Sequence, residues 1–284
     1  MTFNCSNDIK SVRTILNLSQ EELAECLDVE RVTISRNELG TTEPSSRFLE
    51  TFYSFAFHKG IKLNVLKEMF FKENLQANEI LLFHGSKNEI KGKIDVNYGR
   101  SNNDFGHGFY TGESYKQAVS FVSGYNAPSV YILSFKKNDL RCRKYEVDQE
   151  WMMTIAYYRG ALEEYRDHPK IKSLVDSSRD CDYIIAPIAD NRMFQIIDSF
   201  IAGELTDEQC KHCLAATNLG MQYVFISERA VSQISIMERC YISDKEREYY
   251  KKLRIEDSRL GDDKVKLAKR QYRGLGKYID EILS

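Results

Sequence analysis

Apolar positions along this chain change period near residue 78. Upstream they recur at helical spacing: Ile9, Val12, Ile15 and Leu16, then Leu23, Ala24 and Leu27, then Val32, Ile34 and Leu39. Ser19 with Glu22 three residues later supplies an N-cap and its capping-box partner, and Leu27-Asp28-Val29 predicts a turn before the third segment. Leu63, Val65, Leu66, Met69 and Phe70 predict one amphipathic helix over 61–73, and 74–78 reads as a linker. Beyond it, short apolar runs at 80–83, 108–110, 129–135, 183–187 and 223–227 predict strands, separated by helical stretches such as 115–122, 149–164 and 206–216. After Cys240 the spacing of Tyr249, Tyr250, Leu253, Val265, Leu267, Tyr272, Ile279 and Ile282 loosens into a helical tail. The expected organisation is an all-α domain over 1–73, an α+β core of mixed sheet over 78–240, and a charged helical tail over 241–284.

Composition narrows the class. At 284 residues, with 42% hydrophobic and 29% charged positions, the chain can bury a sizeable core. It has no apolar run of the length a membrane span needs, and residues 1–8 lack the basic-then-apolar order of a signal peptide, so a cytoplasmic protein is expected. Seven cysteines, an odd number scattered at 5, 26, 142, 181, 210, 213 and 240, suit a reducing compartment better than a disulfide framework. Cys210-Lys211-His212-Cys213 could hold zinc or act as a redox pair, but no second ligand pair lies nearby, and no metal is expected. The tract 98–108 is glycine-rich and reads as a pocket-lining loop. It lacks the Gly-Lys-Ser/Thr ending of a P-loop.

Three short motifs stand in a fixed order: Phe83-His84-Gly85-Ser86, Gly108-Phe109-Tyr110-Thr111-Gly112 and Met221-Gln222-Tyr223-Val224-Phe225. Together they supply what a site that grasps NAD would use. A glycine such as Gly85 lets backbone N–H and C=O approach a carboxamide closely. A histidine at 84 can meet a ribose hydroxyl, and the Tyr110 ring can stack on nicotinamide while its hydroxyl makes a second contact. Cleavage of the nicotinamide–ribose bond passes through an oxocarbenium-like state, so Gln222 could act by holding the ribose 2'-OH more firmly as charge develops. Arg159 and Arg100 are candidate pyrophosphate partners, and Asp190, Asn191 and Arg192 could border the site.

The order His84, Tyr110, Gln222 resembles the H-Y-[EDQ] pattern of the diphtheria-toxin and poly(ADP-ribose) polymerase branch of ADP-ribosyltransferases. With Trp151, Arg159, Ala189-Asp190 and Gln222-Tyr223, the stretch 78–240 resembles a bacterial ADP-ribosyltransferase-like family of unknown function. The resemblance implies an ADP-ribosyltransferase-like core with NAD as substrate; His84, Tyr110 and Gln222 as catalytic residues; and His84, Gly85, Ser86, Tyr110 and Arg159 as NAD-binding ones. It implies a protein or nucleic-acid acceptor chosen by 206–221. Glutamine stands where most characterised relatives have glutamate, so transfer of a single ADP-ribose is expected rather than chain elongation. A toxin–antitoxin or phage-defence effector with an inhibitory antitoxin protein is the implied setting. The alternative is a regulator that senses NAD or ADP-ribose without turnover.

Residues 9–56, including Ser19-Gln20, Leu23-Ala24, Thr33-Ile34-Ser35-Arg36 and Glu38 with Gly40, resemble the Cro/cI-type helix-turn-helix domain of phage repressors. By that resemblance Arg31, Thr33 and Arg36 would face bases in the major groove and Gln20 a phosphate, with operator DNA as partner. Charge opposes the inference. Residues 1–60 hold 6 Lys+Arg against 9 Asp+Glu, a net of -3, whereas DNA affinity comes largely from neutralised phosphates. A homodimer, or a local basic face of Arg31, Arg36 and Arg47, would offset this. The tail, at 12 Lys+Arg against 9 Asp+Glu, is the more basic segment and a candidate dock for an inhibitory partner or nucleic acid.

Overall fold

A computed structural model describes residues 3–97, 99–217 and 219–284. Five helices come first: α1 Cys5–Leu16, α2 Gln20–Leu27, α3 Arg31–Leu39, α4 Ser46–His58 and α5 Leu63–Glu73. There follow β1 Glu79–Ser86, β2 Phe109–Gly112, α6 Tyr115–Val122, β3 Ser129–Lys136, β4 Cys142–Lys144, α7 Gln149–Tyr158 and α8 Pro169–Arg179. The remainder is β5 Tyr183–Pro187, α9 Asn191–Ile201, α10 Asp207–Ala215, β6 Met221–Phe225, α11 Glu228–Val231, β7 Ile234–Tyr241, α12 Asp244–Gln271 and α13 Ile279–Ile282. The class is mixed α and β. The expected helix over 149–164 stops at Tyr158, because Gly160 takes a left-handed φ of +84° and a separate 3-10 turn follows at Glu163–Tyr165.

The chain divides into two compact units that interleave along the sequence. Unit 1 takes Met1–Lys91, Ser114–Ser134 and Ser235–Leu253; unit 2 takes Gly92–Glu113, Phe135–Ile234 and Arg254–Ser284.

In unit 1, α1 to α4 close around Ile9, Val12, Leu23, Ile34 and Phe52. The capping box forms as expected: Ser19 Oγ accepts from Glu22 N, and Glu22 accepts from Ser19 N at 2.7 Å. Asp28 ends α2 at φ 53°, a left-handed turn that an aspartate tolerates better than most side chains. Helix α5, the amphipathic helix expected over 61–73, is bonded into unit 1. Asn64 donates to Tyr241 O at 2.9 Å and to Glu246 at 3.1 Å, and Lys67 sits 2.6 Å from both Asp8 on α1 and Glu238 on β7. These bonds tie the helical N-terminus to β7. In the strand order β3 lies between β1 and β7, with α6 packed on β1.

In unit 2 the strands run β4-β5-β6-β2. The pairing is mixed: β4 is parallel to β5, while β5 with β6 and β6 with β2 are antiparallel. Ile184, Ala186 and Val224 bury one face under Trp151, Ile155, Met193, Ile197 and Leu214. The other face carries Phe225, packed against Phe135, Tyr183 and Phe109. Among the described residues no helix is long and apolar enough to cross a membrane.

Candidate active site

Register decides what Gln222 meets. It pairs with Gly112 on β2 and Ala186 on β5, while Tyr110 pairs with Val224, which in turn faces Ile184 on β5. Alternation along the strands puts Gln222 and Tyr110 on one face, one row of residues apart. The neighbours of Gln222 in its own row are therefore the two smallest available, a glycine and an alanine.

The side chain of Gln222 is 7% exposed. Its Nε2 donates to Asp104 Oδ2 at 2.8 Å and to Pro187 O at 3.1 Å. Asp104, itself 6% exposed, is gripped from the opposite side: Arg159 at the end of α7 donates through Nε at 2.9 Å and also through Nη2. The backbone N–H of Ala189 lies 3.4 Å from Asp104 Oδ2. The guanidinium further donates to Ala189 O at 2.7 Å and lies 4.6 Å over the Phe194 ring. Arginine suits that place because its planar fork can bond a carboxylate and a carbonyl at once while its face covers an aromatic.

Tyr110 is fastened to the same loop. Its hydroxyl donates to Gly106 O at 2.9 Å and accepts from Phe105 N at 3.0 Å. Burial, with the Asp104 charge added, pushes the phenol well above its ordinary range, so it stays protonated. Gly106 takes φ +73°, and a Cβ there would lie 3.0 Å from the Tyr158 ring, so the turn that presents Asp104 requires a glycine. Residues 104–106 thus connect Tyr110, Arg159 and Gln222.

The Tyr110 hydroxyl bonds the loop at Phe105 N and Gly106 O, and Arg159 is paired to Asp104. Arg100 is exposed, and Arg192 is drawn to α12, where it meets Ser258 and Asp262. Asp190 is the N-cap of α9, accepting from Met193 N at 2.9 Å. The loop expected over 98–108 carries Asp104 at its buried end; Tyr98 lies outside the described residues. In the segment 206–221, helix α10 forms and Asn218 lies outside the described residues. Cys210 and Cys213 are fully buried on α10, with their thiols pushed up by burial and their Sγ atoms facing Ile196 O and Val265 O. No group that could hold a metal is present among the described residues.

His84, Gly85 and Ser86 belong to unit 1, at the end of β1. All three are half-buried. A Cβ on Gly85 would come 2.5 Å from Ala118 O and 2.8 Å from Val122 Cγ1, so this glycine is needed for α6 to lie against β1, whatever a ligand asks of it. Ser86 Oγ donates to Asn88 O at 2.6 Å.

In the N-terminal helices, Arg31 and Arg36 are exposed on α3 and Thr33 is half-buried. Arg31 Nε lies 3.9 Å from Glu21. Gln20 Nε2 donates to Glu38 at 2.6 Å, which ties α2 to α3.

Asp104 is the residue sequence reading missed. It lies 118 positions before Gln222 in an Asn-Asn-Asp-Phe-Gly stretch that reads as a turn, and only the fold brings the two together. Residues 80–236 match the family model described as "Protein of unknown function (DUF3990)". Among curated proteins and among solved structures, none matches the chain.

Proposed function

The chain belongs to the DUF3990 family, and we propose that it is a mono-ADP-ribosyltransferase: it cleaves NAD at the nicotinamide–ribose bond and passes ADP-ribose to a protein or nucleic-acid acceptor. The observation that carries this reading is the placing of Gln222 and Tyr110 on one face of one sheet, with the Gln222 amide nitrogen turned inward onto Asp104 and Pro187. In that orientation the carbonyl Oε1 is the atom the side chain can offer to a ribose 2'-OH. Such an acceptor binds more strongly as the ribose becomes cationic, which is the differential binding that lowers a barrier. Nicotinamide leaves neutral and needs no proton donor. The Tyr110 ring, held by its bonded hydroxyl, would serve as a stacking platform. Parts for His84 in ribose binding and for Gly85 and Ser86 beside the carboxamide rest on the motif resemblance. The implied setting is a cytoplasmic toxin or phage-defence effector restrained by an inhibitory protein.

A second reading is favoured by one observation: Arg31 and Arg36 stand exposed on α3, behind the turn at Asp28 that follows α2. Under it, the N-terminal helices bind operator DNA and the remainder senses NAD or ADP-ribose. The deciding experiment incubates the protein with adenylate-labelled NAD and host lysate, separated into protein, DNA and RNA, alongside His84→Ala and Gln222→Ala. Label in one fraction, lost in the variants, supports the transferase and names its acceptor. NAD binding without label or nicotinamide release supports the regulator.

A further inference from the structure

Residue 222 is a glutamine where the transferase reading would lead one to expect a carboxylate. The surroundings of that side chain contain a reason. Both partners of Nε2, the Asp104 carboxylate and the Pro187 carbonyl, are acceptors. Only an N–H group satisfies them, so the amide can take one orientation and its oxygen is directed elsewhere. A glutamate at that position would instead set a second carboxylate about 3 Å from Asp104, where two like charges cannot both be ionised.

We infer that Asp104 is a positioning residue that fixes the Gln222 amide with Oε1 presented to the ligand, and that its carboxylate makes glutamine, not glutamate, the fitting residue at 222. The inference rests on the proposed NAD chemistry for its purpose, though not for its geometry. Asp104 is suited to the part because it is itself held from two directions. Arg159 bonds it through two nitrogens from the end of α7, and the turn carrying it is bonded on both sides by the Tyr110 hydroxyl, through Phe105 N and Gly106 O. The site's negative charge is thereby kept one residue behind the contact atom and neutralised by arginine.

The test is a reciprocal exchange of acid and amide on the full chain: Asp104→Asn, Gln222→Glu and the double variant. Three quantities are read: unfolding midpoint, hydrogen exchange of the Gln222 side-chain amide by NMR, and nicotinamide release from NAD. In the parent protein the Gln222 amide protons should exchange slowly; in Asp104→Asn they should exchange much faster. Turnover in Asp104→Asn should fall about 10²-fold, mainly in kcat, the scale expected when a reacting contact is misplaced by about 1 Å. Gln222→Glu alone should unfold more easily at pH 8 than at pH 5. In the double variant the new carboxylate gains an amide donor across the same contact and the total charge is that of the parent, so it should recover both midpoint and turnover beyond the sum of the single changes. Rapid exchange of the Gln222 amide in the parent, or strictly additive effects in the double variant, would overturn the inference. Failure of the NAD reading looks different: no turnover by any protein, with the exchange and midpoint results still deciding the role of Asp104.

Discussion

Two buried polar networks in this molecule look alike on paper and differ in composition. In unit 1, Lys67 lies between Asp8 and Glu238, both at 2.6 Å, with the Tyr53 hydroxyl also on Asp8. In unit 2, Asp104 lies between Arg159 and Gln222. The first network joins α1, α4, α5 and β7 through charged groups and a phenol bonded to one another. Its arrangement explains how the helical N-terminus is tied to the sheet, and nothing more is required of it. The second ends on a neutral amide with a fixed direction, on the face shared with Tyr110. Buried charge alone marks a seam in the fold, and so does Glu38 where Arg13 and the Gln20 amide bond it between helices; what sets the second network apart is that its amide stands on the sheet face shared with Tyr110.

The largest effect should come from Lys67→Met, which strands two carboxylates and should cost about 3–5 kcal/mol in urea unfolding. A loss below about 1 kcal/mol would mean that the network is not the seam we describe.

Next comes the neighbouring acid Glu246, buried against Tyr115 and Asn64 and pushed up to about 7 by burial. Its folded form keeps a proton that the unfolded chain releases near 4.5, so its contribution falls as pH rises from about 5 to 7. Glu246→Gln should remove that slope, gaining on the parent by about 2–3 kcal/mol between pH 5 and 8. Parallel stability curves for the two proteins would contradict it.

Gly85→Ala should cost about 1–3 kcal/mol through the contact with Ala118 O and Val122, read as a lower melting temperature. Gln222→Met should be milder, about 1–2 kcal/mol, because Asp104 keeps Arg159 and the Ala189 N–H, yet NAD cleavage should fall about 10²–10³-fold. A large stability loss with retained turnover would reverse the roles assigned to the two networks. The smallest effect concerns cysteine. A thiol reagent should label exposed Cys26 and Cys142 in the native protein and leave Cys210 and Cys213 untouched.

Where periodicity was strong, sequence reading met the structure closely. The strand expected over 183–187 is β5, the helix over 115–122 is α6, and the Ser19–Glu22 capping box starts α2. What escaped has identifiable causes. Strand β4 is three residues of Cys-Arg-Lys with no apolar alternation, and β7 carries Glu238 and Arg239 mid-strand, made tolerable by Lys67 and by Ser129. Helix α5 reads as a plain amphipathic helix from its apolar stripe, while the bonds made by Asn64 and Lys67 reach residues about 170–180 positions away. At the candidate site, Tyr110 and Gln222 were legible from motif order. Asp104 was not, since a turn aspartate has no distinguishing local pattern. The pairing of Arg159 with Asp104 was hidden with it.

Release of free nicotinamide from NAD by the purified protein in the presence of host lysate, compared with Gln222→Ala under conditions where both are folded, decides whether Gln222 acts on the ribose. We expect time-dependent release that falls about 10²–10³-fold in the variant, the range for losing one oriented contact to a charged transition state. A parent protein that binds NAD and releases no nicotinamide, or a variant that releases it equally fast, would contradict the claim.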